Sequence, residues 1–217
     1  MSNEEIINCT IAFVKKELQG AEGGHDWWHI ERVWTNAKLI ALTEQVNIFI
    51  VELAALLHDI ADAKFYAADE TIGPRKAKEF LNSFPIDTGI INHVESIIRN
   101  ISFKGGNFTN NFCSPELAVV QDADRLDAIG AIGIARAFNY GGYKNREIYN
   151  PAILPDLQMT KDEYKNTKAP TINHFYEKLL LLKEKMNTET GKKLAEERHH
   201  FMEIFLAQFY KEWAGKE

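Results

Sequence analysis

The chain has 217 residues, 45% of them hydrophobic and 26% charged, and carries a formal net charge of −6. That length can bury one sizeable core and is short for two domains. The acidic balance argues against broad recognition of duplex nucleic acid, which needs a basic surface, but leaves room for a local pocket for one small phosphate group. Cys9 and Cys113 have no CxxC spacing and make no disulfide framework. Both are expected to be buried or inert thiols. The amino terminus is acidic where a signal peptide needs a basic region, and no stretch reaches the roughly 20 apolar residues of a membrane span. The expected location is the cytoplasm, with no membrane partner.

In chain order, Ile6, Ile7, Thr10, Ile11, Val14 and Leu18 recur at helical spacing and predict an amphipathic helix over 3–18. Residues 21–24 read as a loop. Asp26 can cap the next helix, which runs to about Gln45. Its buried stripe is Ile30, Val33, Trp34, Ala37, Ile40 and Ala41, with His29 one turn before Val33 at the margin. A third helix is expected from about Asn47 to Ala63; it is apolar nearly all round, which predicts a central position. Residues 65–71 read as a loop over the site. Gly73-Pro74 opens a short basic helix that stops near Phe84-Pro85. Asp87 can cap a helix whose stripe is Ile90, Val94, Ile97, Ile98 and Ile101.

After a Gly/Asn-rich loop at 104–111, Ser114-Pro115-Glu116 supplies a cap, a proline at the first position and an acid in the first turn. The helix they start carries Asp124 and is expected to continue to about Tyr140, with Gly130 and Gly133 allowing another helix to come close. Residues 141–170 lack periodicity, and a loop of roughly thirty residues in a compact domain is usually functional or mobile. The expectation is a flexible loop near the substrate. Thr171 is expected to cap a helix to Lys185, and a last helix runs from about Thr190 to Trp213. The pattern predicts an all-α, single compact helical bundle with no strand and no internal repeat.

The third helix holds the residues around which the chain is organised. In E-L-A-A-L-L-H-D-I-A-D-A-K, residues 52–64, an imidazole and two carboxylates interrupt an apolar run. Neighbouring helical side chains diverge by about 100° yet can converge on an ion in the groove between them, and a residue four further on shares the face of the first. His58, Asp59 and Asp62 can therefore address one point. Burying such groups is costly unless they are paired or bind a metal. His29 and Asp124 would complete a set of mixed nitrogen and oxygen ligands that suits a divalent transition metal, and ligand type alone does not select which one.

The order His29, His58-Asp59, Asp124 resembles the H…HD…D signature of the HD-domain metal-dependent phosphohydrolases. The words V-Q-D-A-D-R-L-D-A-I-G-A-I-G-I-A-R at 120–136 and H-F-Y-E-K-L-L at 174–180 look like the bacterial branch that includes nucleotide pyrophosphohydrolases. The likeness runs from about Gly24 to Phe209. It implies a single HD domain over 1–217, with a metal-site core over about 24–140 and C-terminal helices over 171–213. It also implies one divalent metal ion on His29, His58, Asp59 and Asp124: Mn²⁺ first, with Mg²⁺, Co²⁺, Ni²⁺, Fe²⁺ and Zn²⁺ allowed. Such an ion would lower the pKa of a water and polarise a phosphoryl oxygen.

The activity the resemblance implies is hydrolysis of a small nucleotide, foremost a (deoxy)nucleoside triphosphate to monophosphate plus pyrophosphate. A phosphomonoesterase or (p)ppGpp-type hydrolase would keep the chemistry and change the substrate. A non-catalytic, metal-dependent nucleotide-binding module would keep the site without turnover. Asp62 is the expected catalytic residue, orienting the attacking water or accepting its proton; the bland reading is a helix-end carboxylate paired with Lys64 or Lys78. Lys64 either holds a phosphate or is a surface charge. Arg32, in H-I-E-R-V similar to the family's H-x-x-R-V, either binds substrate phosphate or holds a ligand carboxylate. His174 and Lys178, four residues apart on one face, make a cationic pair when His174 is protonated, and the resemblance implies that they contact a triphosphate.

Arg125 and Asp127 read as supporting residues, His93 as a core residue with a hydrogen bond, His25 as a weaker candidate, and His199 and His200, adjacent on a charged helix, as solvated. Trp27 and Trp28 read as packing before a base-stacking platform. HD proteins with two-metal oxygenase sites supply two further histidines between the His-Asp pair and the last aspartate. Only His93 lies there, so one metal is implied. The G-Y-P word of cyclic dinucleotide phosphodiesterases is absent as well.

Overall fold

A computed structural model describes residues 1–20, 26–61, 69, 71–101, 112–160, 163 and 167–216. Among the described residues there are nine α-helices and no strand, the fold class that the periodicity predicts. The chain divides into two compact units, Met1–Asp124 and Arg125–Glu217.

The first unit opens with α1 (Asn3–Glu17). Ser2 and Glu5 form a reciprocal cap there: the Ser2 hydroxyl accepts from the Glu5 amide at 3.2 Å and the Glu5 carboxylate accepts from the Ser2 amide at 2.7 Å. Then come α2 (Trp27–Ala41), α3 (Ile48–Leu57), α4 (Ile72–Leu81) and α5 (Thr88–Asn100). Every residue of α3 from Phe49 to Leu57 except Glu52 is buried. The helix packs against α1, α2 and α5, the central position its composition predicts. Each fully buried leucine there, such as Leu53 or Leu56, contributes roughly 1.5–3 kcal/mol.

Helix starts fall where the capping residues place them. Asp26 Oδ1 accepts from the His29 amide at 3.0 Å, Asn47 Oδ1 from the Phe49 amide at 3.1 Å, Asp87 Oδ1 from the Gly89 amide at 2.8 Å. The ends of α2 and α3 do not fall where expected. α2 stops at Ala41, and α3 stops at Leu57 instead of running to Ala63. His58 is the C-cap of α3 and Asp59 lies in the turn that follows. The two are therefore not mid-helix residues. The Ala55 carbonyl, which a continuing helix would bond to the Asp59 amide, accepts the His58 imidazole Nδ1 at 2.8 Å.

α6 (Pro115–Asp127) begins as predicted, the Ser114 hydroxyl accepting from the Leu117 amide at 3.1 Å. It ends at Asp127 instead of running to Tyr140, and a separate α7 (Gly130–Tyr143) follows. Gly130 has φ +72°, a left-handed conformation that glycine adopts without a Cβ penalty. Arginines take the last carbonyls of α6: Arg198 Nη1 donates to Leu126 at 2.6 Å, and Arg136 Nη1 donates to the Asp127 carbonyl at 3.1 Å and its carboxylate at 2.6 Å. A Cβ at Gly133 would collide with the Ala128 carbonyl, so that glycine admits the chain's own turn and not a second helix.

In the second unit, the described part of 141–170 is tied down and not free. Arg146 donates to the Thr167 carbonyl at 2.9 Å, Thr171 and Ile172 amides bond the Glu147 and Ile148 carbonyls at 2.9 and 3.0 Å, and Asn173 Nδ2 bonds the Ile153 carbonyl at 3.0 Å. α8 (Thr171–Glu177) has Pro170 as its N-cap, so Thr171 is its first residue and not its cap. It gives way after Glu177 to two 3₁₀ turns, Leu179–Leu181 and Lys183–Lys185, in place of a helix to Lys185. α9 (Glu189–Trp213) starts at Thr188, whose hydroxyl accepts from the Gly191 amide at 2.9 Å. Phe138, Phe175 and Phe205, from α7, α8 and α9, have ring centroids 5.8–6.0 Å apart. Cys9 and Cys113 are both exposed, which overturns the burial half of the expectation of buried or inert thiols. No helix of the described residues is long and apolar enough to cross a membrane.

Candidate metal centre

Three elements of the first unit bring polar groups to one place. The Asp26 cap sets His29 in the first turn of α2, where its side chain is almost fully buried at 2% exposure. The stop of α3 turns His58 and Asp59 towards it. α6 contributes Asp124, the most accessible of the set, with 40% of its side chain exposed. Trp34 Nε1 donates to Glu52 Oε1 at 3.1 Å and links α2 to α3.

His29 Nε2 lies 3.6 Å and His58 Nε2 3.9 Å from Asp124 Oδ1. The two rings meet edge to face with centroids 5.3 Å apart. Donor atoms of His29, His58 and Asp59 all lie within 4.8 Å of one another. A carbonyl can only accept, so in the bond from His58 to Ala55 the Nδ1 donates, and Nε2 is the ring nitrogen that faces the carboxylate. Two donors each roughly 2.0–2.2 Å from a common ion stand at most about 4.4 Å apart, and both histidine–aspartate separations fall inside that limit. The donor set, two imidazole nitrogens and two carboxylates, fits a divalent cation of intermediate softness.

Other residues singled out in the sequence fall as follows. Asp62, Lys64 and His25 lie outside the described residues. Arg32 is half-buried on α2, one turn after His29. Asp127 is buried and ion-paired to Arg136 at 2.6 Å, and Arg125 donates to the Lys185 carbonyl at 2.6 Å, the supporting roles expected of both. His93 Nε2 is 3.0 Å from the Ser114 hydroxyl and 3.6 Å from Glu116 Oε2. His199 and His200 both approach Glu203, at 3.3 and 3.6 Å. Trp28 is 61% exposed, whereas Trp27 packs under the Lys15 ammonium, 4.5 Å from the ring centre.

In the second unit, His174 is half-buried and Lys178 is the C-cap of α8, with φ −144°. Burial, with the Lys178 and Arg146 charges adding to it, pushes the His174 imidazole down to about 3. At neutral pH this residue offers a neutral ring, not half of a cationic pair. A cavity of about 260 Å³ in the same unit is lined by Tyr149, Ile153, Asn173, Tyr176 and Tyr210 among others, with no charged side chain.

An all-α unit that clusters His29, His58 and Asp59 at the start of one helix and the stop of a second, with Asp124 of a third close to both imidazoles, has the arrangement of an HD domain. The chain belongs to the HD domain family, whose model matches residues 27–129 and so spans all four donors. YpgQ of Bacillus subtilis is 39% identical over 204 residues, covering 94% of this chain and 91% of YpgQ. The crystal structure of an HD-superfamily hydrolase from Bacillus thuringiensis covers 99% of this chain and 100% of its own at 44% identity, with a TM-score of 0.79. The crystal structure of B. subtilis YpgQ in complex with ADP covers 98% of this chain and 97% of its own at 37% identity, with a TM-score of 0.77. HD domains bind divalent metals, and these relatives support a metal-dependent phosphohydrolase.

Proposed function

We propose that this protein, with residues 1–217 acting as one HD protein, hydrolyses nucleoside triphosphates, foremost deoxynucleotides, to the monophosphate and pyrophosphate. The observation that carries the proposal is the cluster of His29, His58 and Asp59, with Asp124 Oδ1 3.6 and 3.9 Å from the two imidazoles. These four would hold one divalent ion, with Mn²⁺ the first choice. When bound, the ion supplies a hydroxide equivalent near neutral pH and charge to offset that of the phosphoryl oxygens. The crystal structure of YpgQ with ADP supports a nucleotide as the ligand, and the resemblance of 120–136 and 174–180 to pyrophosphohydrolases supports the position of cleavage.

The chain's own residues would divide the remaining work. The buried imidazoles keep their lone pairs directed at the centre and exclude bulk water from one side of it. Asp62 would take the proton of the attacking water. Arg32, Lys64 and Lys178 would neutralise phosphate charge. His174, neutral at pH 7, would serve a phosphate or sugar oxygen as a hydrogen-bond donor and not as a cation.

The test is a panel of nucleoside and deoxynucleoside triphosphates, monophosphates and guanosine polyphosphates, given to metal-stripped protein with Mn²⁺, Mg²⁺, Co²⁺ or Ni²⁺. Pyrophosphate release that requires metal supports the proposal and names the base. Orthophosphate from a monophosphate, or pyrophosphate from a guanosine polyphosphate, would replace the substrate and leave the centre in place. Metal-dependent nucleotide binding without turnover would make the protein a regulatory module.

A further inference from the structure

Glu116 opens α6 eight positions before Asp124, far from the ligand cluster, yet it is nearly buried, at 9% exposure. Its Oε1 accepts the backbone N–H of Asn47 at 2.9 Å. Asn47 is the cap of α3, its own side chain holding the Phe49 and Ile50 amides at 3.1 and 3.4 Å. The other oxygen of Glu116 stands 3.6 Å from His93 Nε2, which lies 3.0 Å from the hydroxyl of Ser114, the cap of α6. One carboxylate thus joins the first turns of α3 and α6, and a histidine from α5 closes the cluster. Both helices start at this clasp, and both run to the ligand cluster, where His58 and Asp124 meet at 3.9 Å. At about 1.5 Å rise per residue, Asp124 lies about 12 Å along α6 from Glu116.

We propose that Glu116 is a positioning residue for the metal centre: it fixes the axial register of α6 against α3, and through it the separation of Asp124 from His58 and Asp59. A slip of α6 by a single residue would move Asp124 by about 1.5 Å. The present 3.9 Å separation could then grow past the roughly 4.4 Å that two ligands of one ion can span. A clasp at the far end resists that slip without touching the ion. The inference rests on the reading of His29, His58, Asp59 and Asp124 as ligands.

The test measures binding of Mn²⁺ alone to metal-stripped protein by calorimetry, with circular dichroism to verify folding. Glu116→Ala, which removes the link, should weaken binding by about tenfold or more, the usual cost of losing a group that holds a ligand in place. Glu116→Gln keeps the acceptor for the Asn47 amide and should bind within about threefold of the parent. Folded Glu116→Ala that binds Mn²⁺ as tightly as the parent would overturn the proposal, and so would equal losses in the Ala and Gln variants, since charge and not register would then matter. If Glu116→Ala does not fold, Glu116→Asp, one methylene shorter, carries the test: weakening by about tenfold supports the proposal, and parental affinity overturns it. Asp124→Ala separates the two readings. If it binds Mn²⁺ like the parent, the ligand assignment itself has failed and takes this inference with it.

Discussion

In the first unit, His29 and His58 stand edge to face and bring their Nε2 atoms within 3.6 and 3.9 Å of the Asp124 carboxylate. In the second, His174 is crowded by protein and faces the charges of Lys178 and Arg146. Both surroundings remove an imidazole from water, but they leave it different chemistry. A ring beside carboxylates sits where a cation is welcome, whereas His174, kept neutral by burial first and by the neighbouring cations second, sits where another cation is repelled. The sign of the neighbouring charge, and not burial, separates a candidate ligand from a candidate hydrogen-bond donor.

The contrast breaks most visibly at Asp124. Asp124→Ala should reduce metal-dependent hydrolysis by on the order of 100-fold or more and abolish tight Mn²⁺ binding; retention of both would remove the first unit's imidazoles from the ligand class. Next in size is the metal's effect on stability. Mn²⁺ at 100 times its dissociation constant should stabilise the protein by about 2.7 kcal/mol, read as a rise in thermal midpoint that EDTA reverses and Asp124→Ala lacks.

The second unit answers through pH. His174 has a folded pKa of about 3 against an ordinary 6.5, so below about 6.5 the unfolded chain takes up a proton that the folded chain refuses. Stability from this residue is complete above about 6.5 and falls with acidification by up to about 1.4 kcal/mol per unit towards 3. Urea unfolding at pH 6.5 and 5 should show a loss from this residue of about 1.6 kcal/mol that His174→Gln removes. Equal losses in parent and variant would mean that the ring titrates normally. The smallest effect belongs to Gly130, whose φ of +72° and a Cβ that would sit 3.0 Å from Arg198 Cβ predict that Gly130→Ala costs about 1 kcal/mol in the same assay.

Helix starts were legible because capping is local: Asp26, Asp87 and Ser114 each bond an amide two or three residues on. The stops of α3 and α6 were not, because they involve side chains, one local and one remote, that carry no period. Nothing in the run to Ala63 announces that the His58 ring takes the Ala55 carbonyl, and nothing in 115–140 announces that Arg198 reaches Leu126. The described residues of 144–170 looked structureless because backbone bonds such as those of Glu147 and Ile148 go to Thr171 and Ile172 and carry no period. Of the candidate site, His29, His58, Asp59 and Asp124 were chosen on sequence order; His29, His58 and Asp59 cluster, and Asp124 lies 3.6 and 3.9 Å from the imidazoles, though His58 and Asp59 come from a helix stop and not from mid-helix. Glu116 read only as a first-turn acid, since its partner Asn47 is remote in sequence.

The last turn of α6 has one further consequence, in time and not in space. Its Leu126 carbonyl is held by Arg198, 72 residues downstream. A ribosome adding about 5–20 residues per second makes that carbonyl several seconds before it makes its partner. The helix bearing Asp124 is therefore finished only when the final helix has emerged. A nascent chain stalled before Arg198 would carry every candidate metal ligand yet leave that helix end open.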